Sequence, residues 1–315
     1  MRVPARHAVI AGAQRLAGRL PPRWDRRVRE VGKMAIAHHG RRISPLRTIE
    51  YTVQRRRSRY LVVPFGDGQL MVDSRDDEVG RTVFLTGGYE RWQMETVLSM
   101  LAEDGRRVEG TVFVDAGANI GTSTVDALLR GGFGRAASFE PEPHNLRLLA
   151  ANAALNGLAD RVDIHPVALS DTDGTVLLQR SPTNFGDHRV VPGGSGPAGN
   201  GPGGDEKVEC RQLDALVGEG RLDPEAVGLF WCDTQGHELK VLRGATTLAA
   251  AGVPHLIEFC PWVLGEEAPG LEDHLALTFS HIVDIHAGAP IRPADLPELR
   301  RKYQRHGFTD LLLIP

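Results

Sequence analysis

Cysteine is scarce in this chain. Three residues in 315, Cys210, Cys232 and Cys260, are too few and too oddly numbered for a disulfide framework, so a reducing, cytoplasmic setting is expected. Neither C-x-x-C nor H-E-x-x-H occurs, which removes the commonest zinc motifs. No run approaches the roughly 18 consecutive apolar residues that a membrane span needs. The first twenty residues are interrupted by Arg15 and Arg19 and lack a continuous apolar stretch, so no secretory signal is expected. Membrane-spanning and wholly disordered readings are excluded, and the 41% hydrophobic content can supply a sizeable core.

Net charge is also small, at -3, but it is unevenly placed. Residues 1–60 hold 16 Lys and Arg against 3 Asp and Glu, leaving 21 against 37 in the remainder. A basic arm therefore precedes an acidic body. Helical spacing at Val9, Ile10, Ala13, Leu16, Ala17 and Leu20, then at Trp24, Val28, Val31 and Ala35, predicts two short amphipathic helices on either side of Pro21-Pro22. The expected divisions are a basic helical arm (1–46), a small β meander with a lead-in helix (47–105) and a main domain (106–315). The meander is drawn from Thr48 to Val53, Tyr60 to Val63 and Gln69 to Val72, and the lead-in helix from Arg91 to Leu101. Residues 192–204 contain seven Gly and three Pro in thirteen positions and read as a mobile loop.

From residue 111 short apolar runs alternate with helical stretches. This predicts an α/β fold with a doubly wound, seven-stranded, mostly parallel sheet of Rossmann-like type. The strands are placed at Thr111 to Asp115, Ala136 to Glu140, Val162 to His165, Leu229 to Asp233, His255 to Cys260, His281 to Ile285 and Thr309 to Ile314. Helices are expected from Pro143 to Asn156 and from Glu238 to Ala250.

The first of these strands runs into Asp115-Ala-Gly117-Ala-Asn119-Ile-Gly121 and then a helix. Glycines at 117 and 121 permit a tight turn and close backbone approach, and the following helix offers unpaired N–H groups. The dinucleotide fingerprint G-x-G-x-x-G would place glycine where Asp115 stands. A carboxylate there repels a pyrophosphate and suits an ammonium, so the expected cofactor is S-adenosylmethionine (SAM). Glu140, 25 residues later at the end of the second strand, is placed to accept both ribose hydroxyls.

The runs VDAGANIG, FEPEPHNLRLLAANAALNG, VALSDTDG, CDTQGHELKVLRGA and PHLIEF resemble the FkbM-type family of SAM-dependent methyltransferases, over roughly residues 80–270. The resemblance implies a class I methyltransferase fold, usually with O-methylation of a sugar or natural-product hydroxyl and in some members N-methylation of a peptide. It implies cofactor contacts from Asp115, Gly117, Asn119, Gly121, Glu140, Pro141, Ala168 and Asp233. Family members usually read lysine-x-aspartate-x-glutamate-glycine after the fourth strand. Here Trp231 and Gln235 stand at the lysine and glutamate positions, while Asp233, Gly236, His237 and Glu238 are present.

Methyl transfer needs alignment and removal of the acceptor proton. His237 is the favoured base, since its unperturbed pKa of about 6.5 leaves it mostly neutral. Asp233 is placed to orient the acceptor or the sulfonium side. Asn184, Asp187 and His188, with Trp231, Gln235 and Glu238, are candidates for contact with a small-molecule acceptor. Asp233 and Glu258 are a secondary candidate pair for a divalent metal, and His281 and His286 read as ordinary surface or core histidines. A dehydrogenase is disfavoured by Asp115. A nucleic-acid enzyme is disfavoured by the sparse aromatics among the basic residues and by the absence of a D-P-P-Y motif. The alternatives are an N-methyltransferase acting on a peptide amide or a nucleic acid, and a SAM-binding protein with weakened catalysis. The basic arm reads as a dimer contact or a docking surface for an acidic partner.

Overall fold

The computed structural model describes residues 44–191, 205–305 and 307–315. The two amphipathic helices expected in the arm and the loop expected at 192–204 lie outside the described residues.

The chain enters through helix α1 (Pro45–Arg57), the hairpin β1 (Tyr60–Phe65) and β2 (Gly68–Asp73), and helices α2 (Val79–Thr86) and α3 (Arg91–Glu103). The meander expected here is corrected to a helix plus a two-stranded hairpin. The β-branched run from Thr48 to Val53 is helical because Pro45 occupies the first turn and Tyr51 is drawn into the body. Its ring packs 5.1 Å from that of Phe84, and its hydroxyl donates to Ser74 O at 3.0 Å. Tertiary packing outweighs the weak strand preference of Thr and Val.

Strands β3 (Val112–Ala116), β4 (Arg135–Phe139) and β5 (Val162–His165) follow, with α4 (Thr122–Leu129) and α5 (Pro143–Leu155) as crossovers. A second, four-stranded sheet, which the sequence reading does not contain, is then built from β6 (Ala168–Leu169), β7 (Gly174–Gln179), β8 (Arg189–Val191) and β9 (Asp205–Arg211), in the order β6-β9-β7-β8. The chain returns through α6 (Leu213–Gly218), β10 (Val227–Cys232), α7 (Glu238–Arg243), α8 (Thr246–Ala250), β11 (His255–Phe259), α9 (Pro261–Leu264), α10 (Ala268–Thr278), β12 (His281–Asp284), β13 (Ala289–Ile291), α11 (Leu296–Tyr303) and β14 (Thr309–Ile314).

The main sheet has the order β13-β12-β14-β11-β10-β3-β4-β5. All seven expected strands are in it, and β13 adds an eighth by a short edge hairpin with β12. Strands β11, β10, β3, β4 and β5 run parallel, and β14 runs against β11 and β12. The helix expected over Glu238–Ala250 is broken in two at Gly244. A Cβ there would lie 2.0 Å from Ser170 O, so the backbone must pass bare against the second sheet's connection. Asp214 then caps α8 from a distance, accepting from Thr246 N at 3.0 Å and Thr247 N at 2.9 Å.

Strand alternation gives the sheet two packed faces. Val114, Phe230, Ile257 and Leu311 point to the layer of α7, α8, α10 and α11. Phe113, Leu229, Trp231, Leu256 and Leu312 point to the layer formed by the hairpin, α2, α3 and α4. On that second face the same alternation brings Asp115, Asp233, Glu258 and Asp310 into a row along the carboxyl edge.

Candidate active site

Between β3 and α4 the chain turns with positive φ at Gly117 (86°), Asn119 (51°) and Gly121 (88°). The turn is tied to β4: Gly117 N and Ala118 N both donate to Phe139 O at 3.0 Å, and Asn119 N donates to Glu140 Oε2 at 2.8 Å. Glu140 Oε1 accepts from Glu142 N at 2.8 Å, so each carboxylate oxygen keeps a further lone pair for a ligand hydroxyl. Burial pushes the Glu140 carboxyl up to about 8. Asp115 is buried as well. Its Oδ2 accepts from Ser123 Oγ at 2.7 Å and Thr124 Oγ1 at 2.5 Å, while Oδ1 has no partner. Burial raises this carboxyl to about 6 against the lowering effect of both hydroxyls. A buried acceptor atom without a donor fits an ammonium ligand, so the residues present fit the group expected from the sequence.

Beside this turn, Asp233, Gln235, Glu238 and Glu258 form a carboxylate basin. Asp233 N donates to Ala116 O at 3.0 Å, which fixes the end of β10 against the turn that follows β3. Gln235, in the left-handed region (φ 52°), donates from Nε2 to Asp233 Oδ1 at 2.6 Å and to Glu258 Oε2 at 3.2 Å. Glu238 clamps the turn, accepting from Thr234 N at 2.9 Å and Gly236 N at 3.0 Å. Burial, then the negative charge of Glu238, raises the Asp233 carboxyl to about 7. Burial and the neighbouring Asp233 push Glu258 well above the usual carboxylate range.

Asp233, Glu238 and Glu258 offer oxygens within 4.8 Å of one another, so Glu238 joins the pair named from the sequence as a conceivable oxygen-ligand set for a metal. The Gln235 amide bridges two of the three, Asp233 and Glu258, and Glu238 accepts from backbone amides.

The other candidates sort by position. His237 is buried, and its Nε2 is 3.0 Å from Ser170 Oγ. Burial and Lys240 hold its ring down at about 4, and its partner belongs to the second sheet's connection rather than to the basin. His237→Ala should therefore lower the melting temperature by a few degrees through the lost Ser170 contact and leave turnover within about threefold of wild type. Thermal unfolding and steady-state kinetics on the same preparation check this. Trp231 is a core residue, 6.2 Å from Phe113 between ring centroids, because its strand position points into the packed layer. Ala168 is buried in the small sheet, whereas Pro141 is partly exposed just before α5.

The segment 181–188 lies against the turn between β3 and α4. A Cβ on Gly186 would meet Asn119 Nδ2 at 3.1 Å, and Asn145 Nδ2 donates to Phe185 O at 2.9 Å. Asn184 and His188 spend polar atoms on the turn itself, accepting from Gly186 N and Ser181 N, both at 3.0 Å. Asp187 pairs with Arg189 at 2.6 Å, and the Arg189 guanidinium in turn covers the Trp262 ring.

Two residues of the basin escape sequence reasoning. Glu90 caps α3 in the left-handed region (φ 53°), and burial together with Asp233 and Asp310 pushes its carboxyl far up. Asp310 stands directly opposite Glu258 in the β11–β14 register and lies 2.8 Å from His286 Nε2. The acidic residue at the head of an otherwise apolar strand, Thr309–Ile314, is the signal that could have found it.

The sequence model of the methyltransferase FkbM domain matches residues 115–308. No curated protein sequence matches. Among solved structures, the chain is similar to the methyltransferase FkbM of Methylobacillus flagellatus KT, at 17% identity and a TM-score of 0.37, covering 74% of this chain and 52% of that one, so it spans about half the length of that relative. It is similar to geranyl diphosphate C-methyltransferase of Streptomyces coelicolor A3(2), at 16% identity, 71% and 77% coverage and a TM-score of 0.37. It is also similar to an RNA methyltransferase of Salinibacter ruber, at 14% identity, 71% and 90% coverage and a TM-score of 0.33. The family match begins at Asp115 near the end of β3 and takes in the basin and β12, well over half of the chain, so this protein belongs to the FkbM methyltransferase domain family.

Proposed function

We propose that this protein transfers the methyl group of SAM to a hydroxyl of a small molecule, a sugar or another natural product. The observation that carries the cofactor is Asp115, whose buried Oδ1 lacks a donor at the turn where a helix begins. SAM supplies a methyl group on a sulfonium centre that is already a good leaving group. Asp115 holds the ammonium, Glu140 accepts the ribose hydroxyls, and Gly117, Asn119 and Gly121 give the turn its close approach. Pro141 borders the same crevice.

What the chain must add is alignment and a proton acceptor. Asp233 fits that role better than His237. It stands at the carboxyl end of β10, at the crevice of a doubly wound sheet, and its carboxyl titrates near neutrality, where a general base is most effective. Gln235 keeps Asp233 turned toward Glu258, and the row Glu258, Asp310 and Glu90 lines the side away from the cofactor turn.

The test has two arms. Calorimetry should show SAM binding to the wild type and affinity weaker by on the order of 10–100-fold in Asp115→Asn, the cost of a lost charge-assisted hydrogen bond. Mass spectrometry of a metabolite pool incubated with SAM should show hydroxylated compounds gaining one methyl group. Normal SAM affinity in Asp115→Asn would sink the cofactor assignment, and methyl groups found only on nitrogen or carbon would sink the acceptor assignment.

A further inference from the structure

Helix α1 carries its apolar residues on the wrong side for a surface helix. Its buried residue is Tyr51, whereas Leu46, Ile49 and Val53 are 76%, 61% and 41% exposed. Spaced three and four apart, they share one face of the helix. Arg56 and Arg57 continue that face one turn on and make no ion pair among the described residues, unlike Arg47 and Arg55, which pair with Glu50 and Asp77. On the strand that follows, Tyr60 and Val62 point outward at 40% and 50% exposure. The 44 residues before α1 hold eleven Lys and Arg against two acidic residues. None of this serves the catalytic basin, which lies at the carboxyl edge of the main sheet.

The occupant of this face must supply both an apolar environment and negative charge. The preceding segment of the chain and a second copy of α1 each bring more positive charge. A nucleic acid brings anions but leaves the apolar stripe facing water. The headgroup region of an anionic bilayer supplies both: acyl chains for Leu46, Ile49 and Val53 and lipid phosphates for Arg56 and Arg57. We propose that α1 docks this protein on the surface of an anionic lipid bilayer, the helix lying in the plane of the headgroups. Among the described residues no helix is long and apolar enough to cross a membrane.

Sedimentation of the full chain with vesicles tests this. Partition onto phosphatidylcholine vesicles containing phosphatidylglycerol should exceed partition onto phosphatidylcholine alone by about tenfold or more and fall steeply as salt is raised. Ile49→Glu/Val53→Glu and, separately, Arg56→Glu/Arg57→Glu should each reduce it about tenfold with an unchanged melting curve, since all four side chains face outward. Absence of partition, equal partition onto both vesicles, or partition untouched by both double variants overturns the proposal. A dimer in light scattering that becomes a monomer in Ile49→Glu/Val53→Glu also overturns it and assigns the stripe to a second copy.

Discussion

Gly117→Ala should yield a folded but badly weakened protein that no longer binds SAM measurably, with a melting temperature lower by roughly 5–15 °C. Two effects add. The residue holds φ at 86°, where an L side chain is strained by about 1–3 kcal/mol. Its Cβ would also sit 1.9 Å from Asp233 O, a backbone atom that cannot swing aside because Asp233 N is anchored to Ala116 O at 3.0 Å. Relieving the overlap must part the β3–α4 turn from β10, and with it Asp115 from Asp233. Gly121→Ala provides the internal comparison. Its φ is similar, at 88°, but the nearest atom to a new Cβ is Leu149 Cδ1 at 2.6 Å, the end of a flexible side chain. The loss at 121 should be less than half that at 117, in both melting temperature and SAM affinity measured by calorimetry. Equal effects at the two positions would mean that strain in φ, rather than the contact with β10, sets the cost.

The same two glycines show how far the sequence could be read. A glycine-punctuated turn after a buried strand has a local cause, so the turn between β3 and α4 and the seven strands are legible from spacing. Elements whose conformation is decided by distant partners were not. Thr48–Val53 reads as strand until Tyr51 finds Phe84, and the helix from Glu238 reads as continuous until Gly244 meets Ser170. The strand Asp205–Arg211 does alternate charged and apolar residues, but it adjoins the Gly/Pro segment and pairs with Gly174–Gln179, some thirty residues earlier in the chain. His237 was drawn toward the site by its place after Asp233, a linear argument. The left-handed turn at Gln235 and Gly236 instead puts Gln235 into the basin and leaves His237 against Ser170. Asp310 and Glu90 reach the basin through strand register and a helix cap, neither of which a single sequence displays.

Asp233→Asn should abolish turnover by a factor of about 10²–10⁴, the usual contribution of a positioned general base, and at the same time make the protein more stable at neutral and alkaline pH. The stabilisation follows from linkage. The carboxyl of Asp233 is raised from the ordinary aspartate range to about 7 in the fold, by burial and by Glu238. A group raised on folding binds its proton more tightly in the native state, so wild-type stability is undiminished below about pH 4 and declines as pH climbs through 7. Asparagine has no proton to lose and can still accept from Gln235 through its carbonyl oxygen. The melting temperature of the variant should therefore match that of wild type near pH 4, exceed it progressively up to pH 7 and hold a constant lead of several degrees above that. Wild-type kcat should rise over the same interval as the base becomes free to accept a proton. Asp310→Asn discriminates between the basin as a shared electrostatic unit and Asp233 as a lone base. Removing the Asp310 charge, which acts to raise the Asp233 carboxyl, should lower the pH at which Asp233 titrates and shift the activity profile toward acid while retaining turnover. A profile that stays in place after Asp310→Asn would show that burial and Glu238, without the carboxylate on β14, set the titration of Asp233.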